Sequence, residues 1–292
     1  MAGNILIILL VFTDQQLHTP MYFFLGSLAC LETCSSSNIL PRMLSNFLSG
    51  RKTISVNACF LQNVIFGSIG VAECYLLSVM SYDRYLAICK PLHYVTKMND
   101  RLCFQLIAIS CFSGVLANSL AMIAISMLQY CVHKEIDHYF CDTFPIIELS
   151  CSDTYILKLF LYVASSVITF APFTLTLTSY IFIIAAIMRI PSTTGKQKAF
   201  STCSSHLLVV TFFYGTLISV YVIPGNNSLN GLRKIFSIFY TILTPMVNPI
   251  MYSLRNKEVK DALRRHALFV FVQIQKLYRN SIFYFLKTAF KM

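Results

Sequence analysis

Met80-Ser81-Tyr82-Asp83-Arg84-Tyr85-Leu86-Ala87-Ile88-Cys89 sets an acid and an arginine side by side at the foot of a long apolar run, with Leu76 to Met80 as its last turn. An arginine near the hydrocarbon edge costs about 2.5–3.5 kcal/mol on insertion scales, so its presence there asks for a function. Asp83 is positioned to neutralise Arg84 until a partner offers something better, which is the logic of a switch. The rest of the chain agrees on the solvent. It is 56% hydrophobic and 14% aromatic, with 12% charged residues, where a soluble domain carries about 25%. Apolar stretches near the ~20 residues that cross a bilayer recur, at about 21–46, 58–83, 103–128, 157–188, 200–222 and 235–254. The alternating ten-residue segments of a β-barrel are not visible. The fold class expected is an all-α membrane protein.

The N-terminus departs from this pattern. Gly3-Asn4-Ile5-Leu6-Ile7-Ile8-Leu9-Leu10-Val11-Phe12 has the character of a membrane helix without its length. From Ala2 to Phe12 it rises only about 17 Å against a hydrocarbon core of about 30 Å. A signal peptide would show a basic n-region and a small-residue cleavage site, and neither is there. The stretch, about 2–12, reads as the cytoplasmic half of a first helix whose outer half is missing.

Charge orients the helices. Arg84, Lys90, Lys97 and Arg101 flank one loop, Arg189, Lys196 and Lys198 lie in another, and nine more basic residues from Arg255 to Lys291 occupy the tail. Opposite them stand Arg51, Lys52, Lys134, Arg233 and Lys234. The positive-inside rule puts the Asp83-Arg84 end and the C-terminus in the cytoplasm. The net charge of +11 is therefore topology, and no nucleic-acid partner is expected.

The long outer loop, 129–156, gathers Glu135, Asp137, Asp142, Glu148 and Asp153 with evenly spaced Cys131, Cys141 and Cys151, while Cys59 opens the third helix. Four cysteines on the oxidising side pair in three ways. Cys59–Cys141 with Cys131–Cys151 is favoured, pinning the loop to the third helix and closing it on itself, each bridge worth about 2–4 kcal/mol. The other seven cysteines fall in or beside membrane helices and read as small packing residues.

Five segments in order resemble odorant receptors of the rhodopsin-like G protein-coupled class. They are Leu17-His18-Thr19-Pro20-Met21-Tyr22-Phe23-Phe24-Leu25, the Met80–Cys89 block with Pro91-Leu92-His93-Tyr94, His138-Tyr139-Phe140-Cys141-Asp142, Lys198-Ala199-Phe200-Ser201-Thr202-Cys203-Ser204-Ser205-His206 and Pro245-Met246-Val247-Asn248-Pro249-Ile250-Met251-Tyr252-Ser253-Leu254-Arg255-Asn256. The resemblance implies a seven-transmembrane bundle over 1–265, with a short amphipathic cytoplasmic helix and an atypical aromatic, basic tail over 266–292. It implies a coupling switch of Asp83, Arg84, Tyr85, Tyr180, His206, Asn248, Pro249 and Tyr252, with the inner end of the sixth helix moving to admit a G protein. Pro249 removes a backbone donor inside a helix, a break tolerated in lipid only where neighbours satisfy the freed carbonyl. Asn248 is expected to supply that contact.

Glu32 and Glu73 are the deepest acids, costly in hydrocarbon and expected to face the bundle interior. Similar receptors hold acids at both positions, around a cation or a water cluster. Phe66, Gly70, Glu73 and Cys74 share one face of the third helix by their three- and four-residue spacing. By resemblance, Phe66, Gly70, Val71, Asn118, Ile168, Tyr214, Ile218, Tyr221 and Thr241 line an odorant pocket between helices 3, 5, 6 and 7. Such a lining suits a small volatile molecule bound by shape and offers no strong charged anchor. His138, Cys141 and Asp142 are also metal-ligand types, but a disulfide-bonded Cys141 has no thiolate to give, so no metal and no cofactor is expected.

Some features depart from the family pattern. The chain starts inside the first apolar run, where members are expected to carry a glycosylated outer tail, and its one sequon is Asn226-Asn227-Ser228. Glu32 stands for the usual aspartate, Ser81 for an alanine and Cys111 for a tryptophan, a residue this chain lacks. No Gly-rich phosphate loop, nucleophile elbow, HExxH or CxxC appears, so no enzyme is expected. The reading is an odorant receptor of the plasma membrane that activates an olfactory stimulatory G protein to raise cyclic AMP, its partners being a small volatile odorant, that heterotrimer and the bilayer. The alternatives are a truncated, non-signalling product retained in the endoplasmic reticulum and, in another class, an ion or proton carrier built on Glu32 and Glu73.

Overall fold

Each apolar run winds into helix that begins a few residues ahead of it, because the capping residues lie beyond the hydrocarbon. The computed structural model describes residues 1–50, 53–131, 135–223, 230–255 and 258–266. Outside the description lie Arg51, Lys52, Lys134, the Asn226-Asn227-Ser228 sequon, Asn256, Lys257, the tail from 267 onward, and the side chains of Lys198, Ser201, Thr202, Ser205, Tyr252 and Arg255. The elements are α1 (Ala2–Thr13), α2 (Pro20–Ser49), α3 (Val56–Cys89), α4 (Pro91–Lys97), α5 (Asp100–Ser126), α6 (Thr143–Glu148), α7 (Tyr155–Met188), α8 (Thr193–Leu217), α9 (Asn230–Ile238) and α10 (Thr244–Arg255). A further helix, α11, covers 258–266. Among the described residues there is no strand, only an isolated antiparallel bridge between Tyr130 and Ser150.

Polar caps set the helix starts. Ser55 accepts from the Ala58 amide, Asn99 from Leu102 and Ser192 from Gly195, each satisfying an orphan donor. Pro20 opens α2 where a missing amide costs nothing, and Gly50 ends it at φ 67°, in the left-handed region. Asp83 and Arg84 consequently lie within α3, which runs on to Cys89, rather than at its foot. After α8 the turn widens over Ile218–Val222, with the Ile223 amide reaching back to the Ile218 carbonyl at 3.1 Å. A second widened turn, Phe239–Leu243, joins α9 to α10. Among the described helices, α3, α5 and α7 are each long and apolar enough to cross a membrane alone.

α3 is the axle of the bundle. α5, α7 and α2 pack along it, while α5 and α7 hardly touch one another. Lipid gives no hydrophobic drive for helix association, so close packing must supply it, and small residues permit the approach. At Gly114 a side chain would collide with the Ser68 carbonyl of α3, so glycine there lets α5 lie directly against the α3 backbone. Tyr22, Phe24, Leu76, Leu77, Phe213 and Tyr214 fill the centre with almost no exposure. α1, about 18 Å long, docks through Asn4, Ile7, Leu10 and Val11 onto α2 and α10.

Candidate functional site

The loop after α5 is tied to the start of α3 by the Cys59–Cys141 disulfide and closed on itself by Cys131–Cys151. Gln62 accepts from the Cys141 amide at 3.1 Å, and Asn63 donates to the Cys141 carbonyl at 3.3 Å and to Thr143 at 3.2 Å. This lays Asp142, Thr143 and Phe144 over a cavity of about 320 Å³ bounded by α3, α5 and α7. Phe66, Gly70, Val71, Asn118, Ile168 and Tyr221 line it; Tyr214, Ile218 and Thr241 do not. The Tyr214 hydroxyl donates instead to the Cys74 carbonyl at 2.7 Å, and Thr241 donates to the Ser237 carbonyl and shares a hydrogen bond with Tyr139. Leu217 and Tyr221, four residues apart on one face, are what the sixth span presents.

Around this cavity a further span joins the expected helices 3, 5, 6 and 7. The fourth span, α5, is a wall, through Ala117, Ala121 and Ala124, and the seventh contributes Tyr240 alone. The spacing of those alanines, four and then three, already put them on one face of α5. Gly70 makes room for the Tyr240 hydroxyl and Gly67 for the Asn118 amide, since a side chain at either would collide with its neighbour.

The lining also contains a carboxylate, against the expectation of none. Asp142 is 4% exposed and accepts from the Thr143 amide at 2.8 Å and the Tyr221 hydroxyl at 3.1 Å. Burial pushes its pKa up, against the pull of His138, those two donors and Arg233. Its charge is thus answered within the protein. Arg233, from α9, covers this region: its guanidinium lies 5.5 Å from the Phe144 ring and 5.9 Å from Tyr162, rings that stack at 4.6 Å. It donates to the Tyr162 hydroxyl and the Ile223 carbonyl. Cys141, held in a disulfide, offers no thiolate, and among the described residues no three metal-ligating side chains converge.

At the other end of α3, Asp83 is buried and accepts from the Tyr94 hydroxyl of α4 at 3.1 Å. No ion pair within 4 Å joins it to Arg84, but the Arg84 charge still acts on the Asp83 carboxylate, and α4 supplies its hydrogen bond. The Arg84 charge is also felt at Tyr180, Cys203 and His206. Tyr180 of α7 and His206 of α8 share a hydrogen bond at 2.6 Å, and His206 Nε2 has no partner among the described residues. Tyr85 packs its ring against Tyr82 and Phe182.

Midway along the bundle, Pro249 leaves the carbonyl of Pro245 without its helical donor. Asn4 of α1 donates to that carbonyl at 3.3 Å. Asn248, expected in this role, donates to Glu32 instead. Glu73 lies nearby on α3, its Oε1 without a partner among the described residues. The two acids therefore do face the bundle interior.

The sequence model of the olfactory receptor family matches residues 1–269. Over 263 residues the chain is 46% identical to human olfactory receptor 11L1, covering 90% of this chain and 82% of that one. Mouse olfactory receptor 8U3 is 46% identical with the same coverage. Human olfactory receptor 11H6 is 47% identical over 265 residues, 91% of this chain and 80% of that protein. Its helices, its ordered motifs and these relatives together place the chain in the olfactory receptor family of multi-pass membrane proteins.

Proposed function

We propose that the cavity beside α3 is the odorant site and that the Arg84 end engages a stimulatory G protein, raising cyclic AMP. One observation carries this reading: a single helix, α3, bears the cavity wall (Phe66, Gly70, Val71) at one end and Asp83-Arg84 at the other. The apolar lining with Asn118 and Tyr240 as polar points suits a small neutral volatile held by shape. Ligand packing against α3, α7 and the Leu217-Tyr221 face of the sixth span would bias how α8 sits over Arg84. On this reading the tie between Tyr180 and His206 is what must rearrange, and residues 1–265 act as one receptor domain. The plasma membrane is the site of action, with the Arg84 end and C-terminus cytoplasmic, as the charge distribution supports.

The test is an epitope-tagged full chain, surface-labelled in olfactory-type cells and read by cyclic AMP against an odorant panel. Val71→Phe and Ile168→Phe should each weaken the response about tenfold or more, as a methylene-scale misfit does, without lowering surface label. Arg84→Ala should abolish cyclic AMP and leave label intact. A response indifferent to both cavity substitutions would remove the odorant site from this cavity.

A further inference from the structure

We propose that the cavity is entered sideways, through a slot between α5 and α7, by small apolar molecules already dissolved in the outer leaflet of the bilayer. The inference rests on reading this cavity as the odorant site. Because α5 and α7 both pack on α3 yet hardly touch each other, the wall between them is made by side chains alone. Those side chains are small at the seam: Ala121 and Ala124 from α5, Ala164 and Ser165 from α7. Two larger lining residues, Leu120 and Phe160, are 59% and 64% exposed on the outside of the bundle. A side chain that faces both the cavity and the exterior marks the lip of an opening. At 1.5 Å per residue, these lips lie about 9 Å and 8 Å in from the ends of α5 and α7. Both lips fall within the apolar runs, about 103–128 and 157–188, that carry α5 and α7 through the bilayer.

The other route is closed by independent features. The Cys59–Cys141 bridge and the Gln62 and Asn63 hydrogen bonds hold the 141–144 segment across the outer mouth. Arg233 then clamps Phe144 and Tyr162 from above. An apolar molecule arriving from water would have to part this polar layer. One arriving from the bilayer exchanges one apolar surrounding for another, after the membrane has already concentrated it.

The chain contains no tryptophan, so Phe66→Trp makes a single fluorescent reporter inside the cavity, with Ile168→Trp as a second should the first fold poorly. The full chain in lipid nanodiscs is mixed with 1-bromohexane, which partitions into the bilayer, or with aqueous iodide. Bromohexane should quench the reporter and iodide should not. Leu120→Ala with Phe160→Ala should quicken the onset of quenching about tenfold, the range over which association rates vary among variants of one site. Arg233→Ala should leave that onset unchanged. Failure of bromohexane to quench, quenching by iodide, or an onset governed by Arg233 rather than by the lips would each overturn the proposal. Quenching reads entry alone. A cavity that fills through the slot while the cyclic-AMP response ignores Val71→Phe would leave this inference standing and sink the odorant-site reading.

Discussion

Gly70 and Gly114 each omit a side chain for the sake of a neighbour, but the neighbours differ in what they can yield. Beyond Gly70 lies the hydroxyl of Tyr240, the far end of a movable side chain; beyond Gly114 lies the Ser68 backbone carbonyl, fixed in α3. Gly70→Ala should therefore keep the fold and disturb the response to odorant, because Tyr240 must swing out of the lining. Gly114→Ala must push α5 away from α3, an overpacking cost of about 1–3 kcal/mol. Thermal unfolding in nanodiscs and surface labelling check both, and a Gly114→Ala chain with unchanged melting and label would mean the helices can part freely. At this scale the site was partly readable beforehand. Phe66 and Gly70 share a face by spacing alone, and the family resemblance added Val71, Asn118, Ile168 and Tyr221. Tyr214 and Thr241 stand outside this lining, their hydroxyls donated to backbone carbonyls, which no side-chain pattern reveals. Of the α5 wall only Asn118 was anticipated, because alanine carries no chemistry to notice.

Among the elements, the long helices were legible because hydrocarbon demands uninterrupted apolar runs. Their ends were not, since caps such as Ser55 and Asn99 work in the polar region past the run. The short α4 was also missed, and with it the Tyr94 hydroxyl that donates to Asp83. The loop carrying α6 has a pH dependence of its own. Burial lowers the pKa of His138 below 6.5, with Lys234 adding to that and Asp142, the Phe140 amide contact and Asp137 opposing it. The undocked loop thus binds a proton in a range where the docked loop does not. Docking is at full strength above pH 6.5 and is lost as pH falls through 6.5 towards the depressed value. Hydrogen exchange over residues 136–144 should accordingly quicken between pH 7.5 and 5.5, after correction for intrinsic exchange. His138→Asn should flatten that dependence. An equal quickening in the variant would show that His138 is not its source, since Asp142, raised by burial, would strengthen docking as pH falls.

Across the whole molecule, α1 is fastened at both ends. Its twelve residues reach from the proline break in α10 to the end of the bundle where α11 lies. At one end Asn4 satisfies the Pro245 carbonyl. At the other, buried Asp14 accepts two hydrogen bonds from Arg265 of α11, at 2.7 and 3.1 Å, while Thr13 meets His266 at 3.0 Å. Burial pushes the Asp14 carboxyl up, but Arg265, the Gln16 amide and His266 together bring it below 3.8. Its contribution is therefore complete above about pH 4 and is lost only as pH falls through the depressed value. Near neutrality both fastenings act. Asn4→Ala leaves a carbonyl unpaired in lipid, about 1–3 kcal/mol; Arg265→Ala removes a half-exposed partner, about 1 kcal/mol. The two sites are about 15 Å apart along the helix, so if each end is held independently their effects on unfolding in nanodiscs should add within about 0.5 kcal/mol. If instead α1 comes away as one rigid piece when either end is cut, the double variant will be no less stable than Asn4→Ala alone. Additivity is the expected result, because Ile7, Leu10 and Val11 remain packed on α2 and α10 between the two fastenings and keep the rest of α1 seated when one is released.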